Sequence, residues 1–198
     1  MRRIAAAVGV FVLAVAAAAS AQPPVRVLVQ TNLGDIVLEV DVAHAPATSA
    51  NFLRYLDAGH YDGGLFHRTV KMDNQPDSPV KIEVIQAGVN PDRAKAGYPA
   101  IAIERTSATG LRHTDGVISM ARGAPDSATS GWFICINDQP SLDFGGARNP
   151  DGQGFAAFGR VVRGMDVVER IHRSTNTDAQ KLTPPVRIIS VQRRRPEG

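Results

Sequence analysis

Only one cysteine, Cys135, occurs in the 198 residues. No internal disulfide can therefore staple the fold, and no Cys-x-x-Cys pair can hold zinc. Its setting, Phe133-Ile134-Cys135-Ile136, suits a small buried hydrophobe better than an accessible, electropositive thiolate. The five histidines (His44, His60, His67, His113 and His172) show no HExxH spacing, which leaves zinc chemistry without a ligand set. A Gly-x-Ser-x-Gly elbow and a P-loop are both missing. Gly145-Gly146 and Gly152-Gln153-Gly154 lack a strand-to-helix phosphate context and read as turns. Lys and Arg number 22 against 19 Asp and Glu, a formal +3 of which two charges sit at Arg2 and Arg3, so the body is near neutral. No basic stripe interleaved with aromatics runs along it, which excludes a nucleic-acid groove. The longest apolar run, residues 4–19, falls short of the roughly 20 residues that span a bilayer.

What is present begins with an address. Arg2 and Arg3 precede that run, and Ala19-Ser20-Ala21 follows it as a small-x-small cleavage pattern. Residues 1–21 therefore read as a cleaved secretory signal. The mature chain is expected to be periplasmic or secreted, with no stable membrane anchor once the signal is removed. Residues 22–198 read as a single domain, a monomer, ending in a short solvated basic tail at Arg193, Arg194 and Arg195.

Within that domain the hydrophobic period is mostly two. Residues 25–30 and 35–42 alternate around the turn Thr31-Asn32-Leu33-Gly34 and predict a hairpin. Further strands are expected over 65–70, 81–87, 117–121, 132–136, 155–162 and 186–193. Pro46 suits a first helical turn and Gly59 a left-handed stop, with Ser49, Phe52, Leu53 and Leu56 on one helical face between them. Met165, Val168 and Ile171 mark a second helix. Strands in succession, joined by Gly-rich turns, do not alternate as βαβ units would. The class expected is mainly β: a closed eight-stranded antiparallel β-barrel capped by two α-helices.

Four segments stand out in order: Leu65-Phe66-His67-Arg68; Val84-Ile85-Gln86-Ala87-Gly88; Gly116-Val117-Ile118-Ser119-Met120-Ala121-Arg122 with Ser130-Gly131-Trp132-Phe133; and Gly154-Phe155-Ala156-Ala157-Phe158-Gly159 leading into Gly164-Met165-Asp166. Together they resemble the cyclophilin family of peptidyl-prolyl cis-trans isomerases over residues 25–193. The resemblance implies the same capped barrel and activity on proline-containing polypeptides, with no cofactor or metal. It also implies roles: Arg68 as the catalytic arginine and Gln86 as the glutamine that holds the substrate backbone. Met120 and Ala121 would form the groove floor, with Phe133, Leu142 and Phe155 as walls of the proline pocket. These residue types suit the reaction. Turning an X–Pro amide breaks resonance across about 18–20 kcal/mol, and a fixed guanidinium donates to the prolyl nitrogen only as its lone pair is released.

The chain also departs from the family pattern. Residues 69–85 separate Arg68 from Gln86 through an inserted polar stretch, Asp73-Asn74-Gln75-Pro76-Asp77-Ser78-Pro79, which lengthens a turn at little entropic cost. Glu83 and Val84 stand where the family tends to have Phe and Met, Ser141 where it has tryptophan, Phe155 where it has histidine, and Gly131 where it has glutamine. These exchanges keep a second reading in view: a proline-peptide-binding or chaperone module of the same fold with little turnover. A structural envelope protein using the basic tail is the remote alternative.

Overall fold

The computed structural model describes residues 22–194; the expected signal, residues 1–21, and Arg195 lie outside the described residues. Strands β1 (Val25–Thr31) and β2 (Gly34–Val40) pair antiparallel from Val25↔Val40 to Thr31↔Gly34. This is the hairpin that the alternation predicts, with Val27, Val29, Ile36, Leu38 and Val40 turned to the interior. β2 ends at Val40 rather than at residue 42, because Asp41 turns the chain. Its carboxylate accepts the His44 N–H at 3.0 Å and its carbonyl the Ala45 N–H at 3.2 Å.

The other strands are β3 (Leu65–Val70), β4 (Val84–Gly88), β5 (Val117–Met120), β6 (Trp132–Cys135), β7 (Ala156–Arg163), β8 (Asn176–Asp178) and β9 (Lys181–Arg193). Eight of them close in the order β1-β2-β7-β5-β6-β4-β3-β9, with β9 returning to β1. Every pairing is antiparallel, and closure removes the free edges an open sheet would expose. The expected eight-stranded barrel is present. Short β8, unforeseen in the sequence, hangs on β9 outside the ring. β4 starts at Val84, not at residue 81, since the Gln75 side chain takes both the N–H (3.2 Å) and the C=O (2.8 Å) of Ile82. β9 extends back to Lys181. Arg193 is no tail residue: it ends β9 and forks onto the Asp57 carboxylate with two bonds of 2.8 Å.

Helices α1 (Pro46–Asp57) and α3 (Met165–Arg173) cap the barrel near opposite ends of β2. At the Val40 end, Ser49 Oγ of α1 donates to the Asp41 carbonyl at 2.9 Å. At the other end Gly34 lies under α3. With φ +131° and an added Cβ only 3.0 Å from Val167 Cγ2, this position favours glycine twice over. Pro46 opens α1, and no side chain of its own caps it. Instead Glu104 receives the N–H groups of Ala47 (3.1 Å) and Thr48 (2.7 Å), which answers the unpaired donors and positive end of a helix N-terminus. A single turn, α2 (Thr106–Thr109), follows Glu104. Phe52, Leu53 and Leu56 of α1 and Val167, Val168 and Ile171 of α3 join the strand residues Phe66, Trp132, Ile134 and Phe158 in one core. A second, smaller cluster lies on the outer face of the sheet: Val70, Ile82, Val84, Phe133, Cys135 and Leu142, with Ala121 and Phe155 packed against it.

Candidate active site

That outer cluster exists because side chains alternate across the strands. Along β6, Trp132 and Ile134 enter the core while Phe133 and Cys135 face outward. Along β4, Ile85 and Ala87 enter the core while Val84 and Gln86 face outward. β3 carries one residue too many: Phe66 pairs with Ala87, yet Arg68 pairs with Gln86. His67 is the extra residue of a bulge. A one-residue shift exchanges faces, so Phe66 fills the barrel while Arg68 comes out onto the groove. Arg68, Gln86, Phe133 and Ser119 are thus successive cross-strand partners on β3, β4, β6 and β5, with strands about 4.8 Å apart.

The row opens into a cavity of about 240 Å³ lined by Arg68, Gln86, Ala121, Phe133, Leu142 and Phe155. Six of the seven residues expected at the site are brought together. Met120 is not: it is 1% exposed and packs in the barrel core. β5 directs Ile118 and Met120 inward, and Ala121, the next residue, takes the groove position. Phe133 meets Phe155 edge-on, ring centroids 5.4 Å apart at 90°, so Phe155 does supply a wall. Glu83 faces elsewhere, accepting from Asn137 Nδ2 at 3.1 Å. Val84 and Ile82 close the side where an aromatic wall is missing.

Arg68 is held by two neutral amides. Its Nη1 donates to Gln86 Oε1 at 2.8 Å, and its Nε to Gln180 Oε1 at 2.8 Å, with Nη2 on the same oxygen. One N–H on each Nη has no bond to another described residue. Burial first, then the nearby charge of Arg148, lowers the Arg68 pKa from its ordinary value. Gln180 was invisible in the sequence, since it lies 112 residues away in a β8–β9 turn with no motif around it. The inserted loop completes the support: Gln180 Nε2 donates to the Asn74 carbonyl at 3.1 Å, which orients the amide that orients Arg68. The insertion leaves the pairing of Arg68 with Gln86 in register, as its expected low cost implied.

Behind Phe133 lies a buried polar chain. His113 stacks on the Phe133 ring, centroids 6.1 Å apart. Its Nδ1 is 2.7 Å from Asp143 Oδ1 and its Nε2 2.9 Å from Ser119 Oγ. The distances are those of a Ser-His-Asp hydrolase triad, but Ser119 is 0% and His113 1% exposed. No substrate carbonyl can reach that hydroxyl, so the chain supports the floor of the pocket. Burial alone would raise the Asp143 pKa; the side-chain and backbone bonds from His113 outweigh it and hold the carboxyl below its ordinary value. A depressed folded-state pKa contributes stability that is present above the ordinary carboxylate pKa and lost as pH falls through the folded value. Melting temperatures measured across the acid range should therefore fall more steeply for wild type than for Asp143→Asn; parallel curves would contradict this role. Cys135, fully buried, has its thiol pKa pushed far up by desolvation, as its apolar setting predicted.

Known proteins resemble this chain in sequence and in fold. The profile of the family described as "Cyclophilin type peptidyl-prolyl cis-trans isomerase/CLD" matches residues 26–193. The peptidyl-prolyl cis-trans isomerase of Acinetobacter baylyi is 35% identical over 197 residues, 97% of this chain and 95% of that protein. Peptidyl-prolyl cis-trans isomerase A of Dickeya dadantii is 36% identical over 174 residues, 86% of this chain and 84% of the relative. A crystal structure of a cyclophilin-type isomerase from Cryptosporidium parvum, 20% identical, shares the fold with a TM-score of 0.70, covering 88% of this chain and 99% of that one. The closed eight-stranded barrel is the fold this chain shares with that isomerase. The chain belongs to the cyclophilin-type peptidyl-prolyl cis-trans isomerases, enzymes acting on proline-containing peptides.

Proposed function

We propose that Arg68, Gln86 and the Phe133 pocket form the working centre, and that the enzyme turns X–Pro bonds of exported proteins as they fold outside the cytoplasm. The observation that carries the reading is the cross-strand row, which sets a rigidly held guanidinium beside an aromatic cleft able to take a proline ring. The signal-like pattern of residues 1–21 supports the location. Among the described residues no helix is long and apolar enough to cross a membrane.

In the planar amide the prolyl nitrogen lone pair is delocalised and accepts nothing. As the bond twists, the lone pair localises and the nitrogen becomes an acceptor. The N–H groups of Arg68 that its two glutamine partners leave over can then donate to it, so the twisted state is bound better than either planar one. A 10⁵-fold acceleration needs about 7 kcal/mol, and one preorganised donor supplies roughly 2.7–4 kcal/mol. The apolar walls supply the rest by desolvating the amide, while Gln86 Nε2 anchors one side of the peptide as the other turns.

A protease-coupled assay on an X–Pro peptide tests the reading. Acceleration by the wild-type chain that falls about 10²–10³-fold in Arg68→Ala is the expected result; peptide binding by the wild-type chain without acceleration would assign it to the proline-binding alternative. Gln180→Ala removes the acceptor shared by Arg68 Nε and Nη2 and should lower kcat by about tenfold, with KM little changed. Equal kcat in that variant would show that Arg68 needs no help from the β8–β9 turn.

A further inference from the structure

Three guanidiniums, Arg68, Arg122 and Arg148, line the one cavity of about 240 Å³, and no aspartate or glutamate lines it with them. Their charges are answered differently. Arg122 is neutralised: its Nη1 and Nη2 fork onto Asp151 at 2.8 and 2.9 Å, its Nε donates to the Gly154 carbonyl at 2.7 Å, and its Nη1 also donates to Gly123 O at 2.9 Å. Arg68 and Arg148 have only neutral oxygen partners among the described residues. For Arg68 these are the amides of Gln86 and Gln180. For Arg148 they are Gln75 Oε1 at 2.9 Å, Ser78 Oγ and the Val80 carbonyl. All three of those bonds come from Nη1, so the N–H groups on Nε and Nη2 of Arg148 have no bond to another described residue. Two cations sharing a cavity without a carboxylate repel each other, and the charge of Arg148 is one cause, after burial, of the lowered Arg68 pKa.

We propose that Arg148 is a specificity-determining residue, selecting prolyl peptides that carry an aspartate or glutamate side chain one or two residues before the proline or directly after it. The proposal rests on the isomerase reading above and names its substrate class. A carboxylate entering beside the proline relieves the repulsion between Arg68 and Arg148, and the vacant edge of Arg148 offers the planar, two-pronged geometry that a carboxylate accepts. Arg148 is also preorganised. Its backbone N–H is bonded to Ser141 O at 3.1 Å, and its Nη1 ties its own loop to the 71–83 loop, so little ordering entropy is lost on binding.

The test uses acetylated, amidated alanine-based tetrapeptides with one proline, and Glu, Gln or Lys placed two residues before, directly before or directly after it. Turnover is read by NMR exchange and binding by chemical-shift titration. At one position at least, the wild-type enzyme should favour Glu over Gln by about tenfold in kcat/KM, one charge-assisted bond. Lys should be worse than Gln, and the gap should narrow as salt rises. Arg148→Gln should bring the Glu/Gln ratio to about one, Arg148→Lys should keep part of it, and Arg26→Gln, which pairs with Glu39 on β2 and does not line the cavity, should leave it whole. A wild-type ratio near one at all three positions, in turnover and in binding, overturns the proposal. So does a ratio that survives Arg148→Gln with both peptides slowed alike, which would make Arg148 a strut between loops. If the Gln peptides bind but are not accelerated, the isomerase reading fails, while the Glu/Gln binding ratio still decides this one.

Discussion

Arg68→Ala is expected to lower kcat/KM on an X–Pro peptide by about 10²–10³, the effect of deleting one preorganised donor from a site that stabilises charge in the transition state. The fall should appear in kcat, because the donor has nothing to bond in the planar ground state. Arg68→Lys should recover only part of the loss. It restores the charge on a flexible, strongly hydrated stem, and it cannot be gripped at once by Gln86 and Gln180, whose oxygens hold different nitrogens of the guanidinium. Full activity in Arg68→Lys would mean that charge alone matters and that the two amide partners are incidental. Folding of both variants is checked by melting, since Arg68 lies outside the barrel core and its removal leaves the interior packing intact.

Trp132→Ala is expected to destabilise the protein by about 3–5 kcal/mol, which lowers Tm by roughly 6–20 °C in a chain of this size. Trp132 is 0% exposed. Its ring meets Phe52 of α1 edge-on at 5.6 Å, Phe66 of β3 at 5.6 Å and Tyr61 at 6.3 Å. Truncation therefore opens a cavity where helix and barrel meet. Trp132→Phe should cost far less, because it keeps an aromatic body and removes an indole N–H with no hydrogen-bond partner among the described residues. Thermal melts of the two variants check both statements. A shift of under about 2 °C for Trp132→Ala would mean that the interior collapses to fill the gap. The residue next along the chain, Phe133, faces the groove, so the same truncation one position on should weaken substrate use rather than the barrel.

That contrast shows what was legible in advance. The alternation through Trp132-Phe133-Ile134-Cys135 states that two faces exist, and the structure puts Trp132 and Ile134 on one and Phe133 and Cys135 on the other. Arg68, Gln86, Ala121, Phe133, Leu142 and Phe155 were all named from their motifs and do share a cavity. Met120 went astray because its motif runs unbroken into Ala121. Successive residues of an extended chain point to opposite faces, so Met120 follows Ile118 into the core and Ala121 takes the groove. Gln180 and Arg148 were not named, since each acts through loops that meet only in space: Gln180 through Asn74, Arg148 through Gln75, Ser78 and Val80.

By itself the sequence determined the period-two strands, the Pro46 start of α1 and the buried nature of Cys135, each written in spacing over a few residues, where backbone geometry dictates which side chains share a face. The groove residues came from the resemblance of four motifs to the cyclophilin family, not from spacing. Tertiary structure alone decided which strands pair around the ring, that a bulge at His67 turns Arg68 out of the barrel, and that Glu104 caps α1. It also decided that two loops carry a second cation to the edge of the cavity. Those outcomes depend on partners tens of residues apart, which only the folded chain brings within hydrogen-bonding distance.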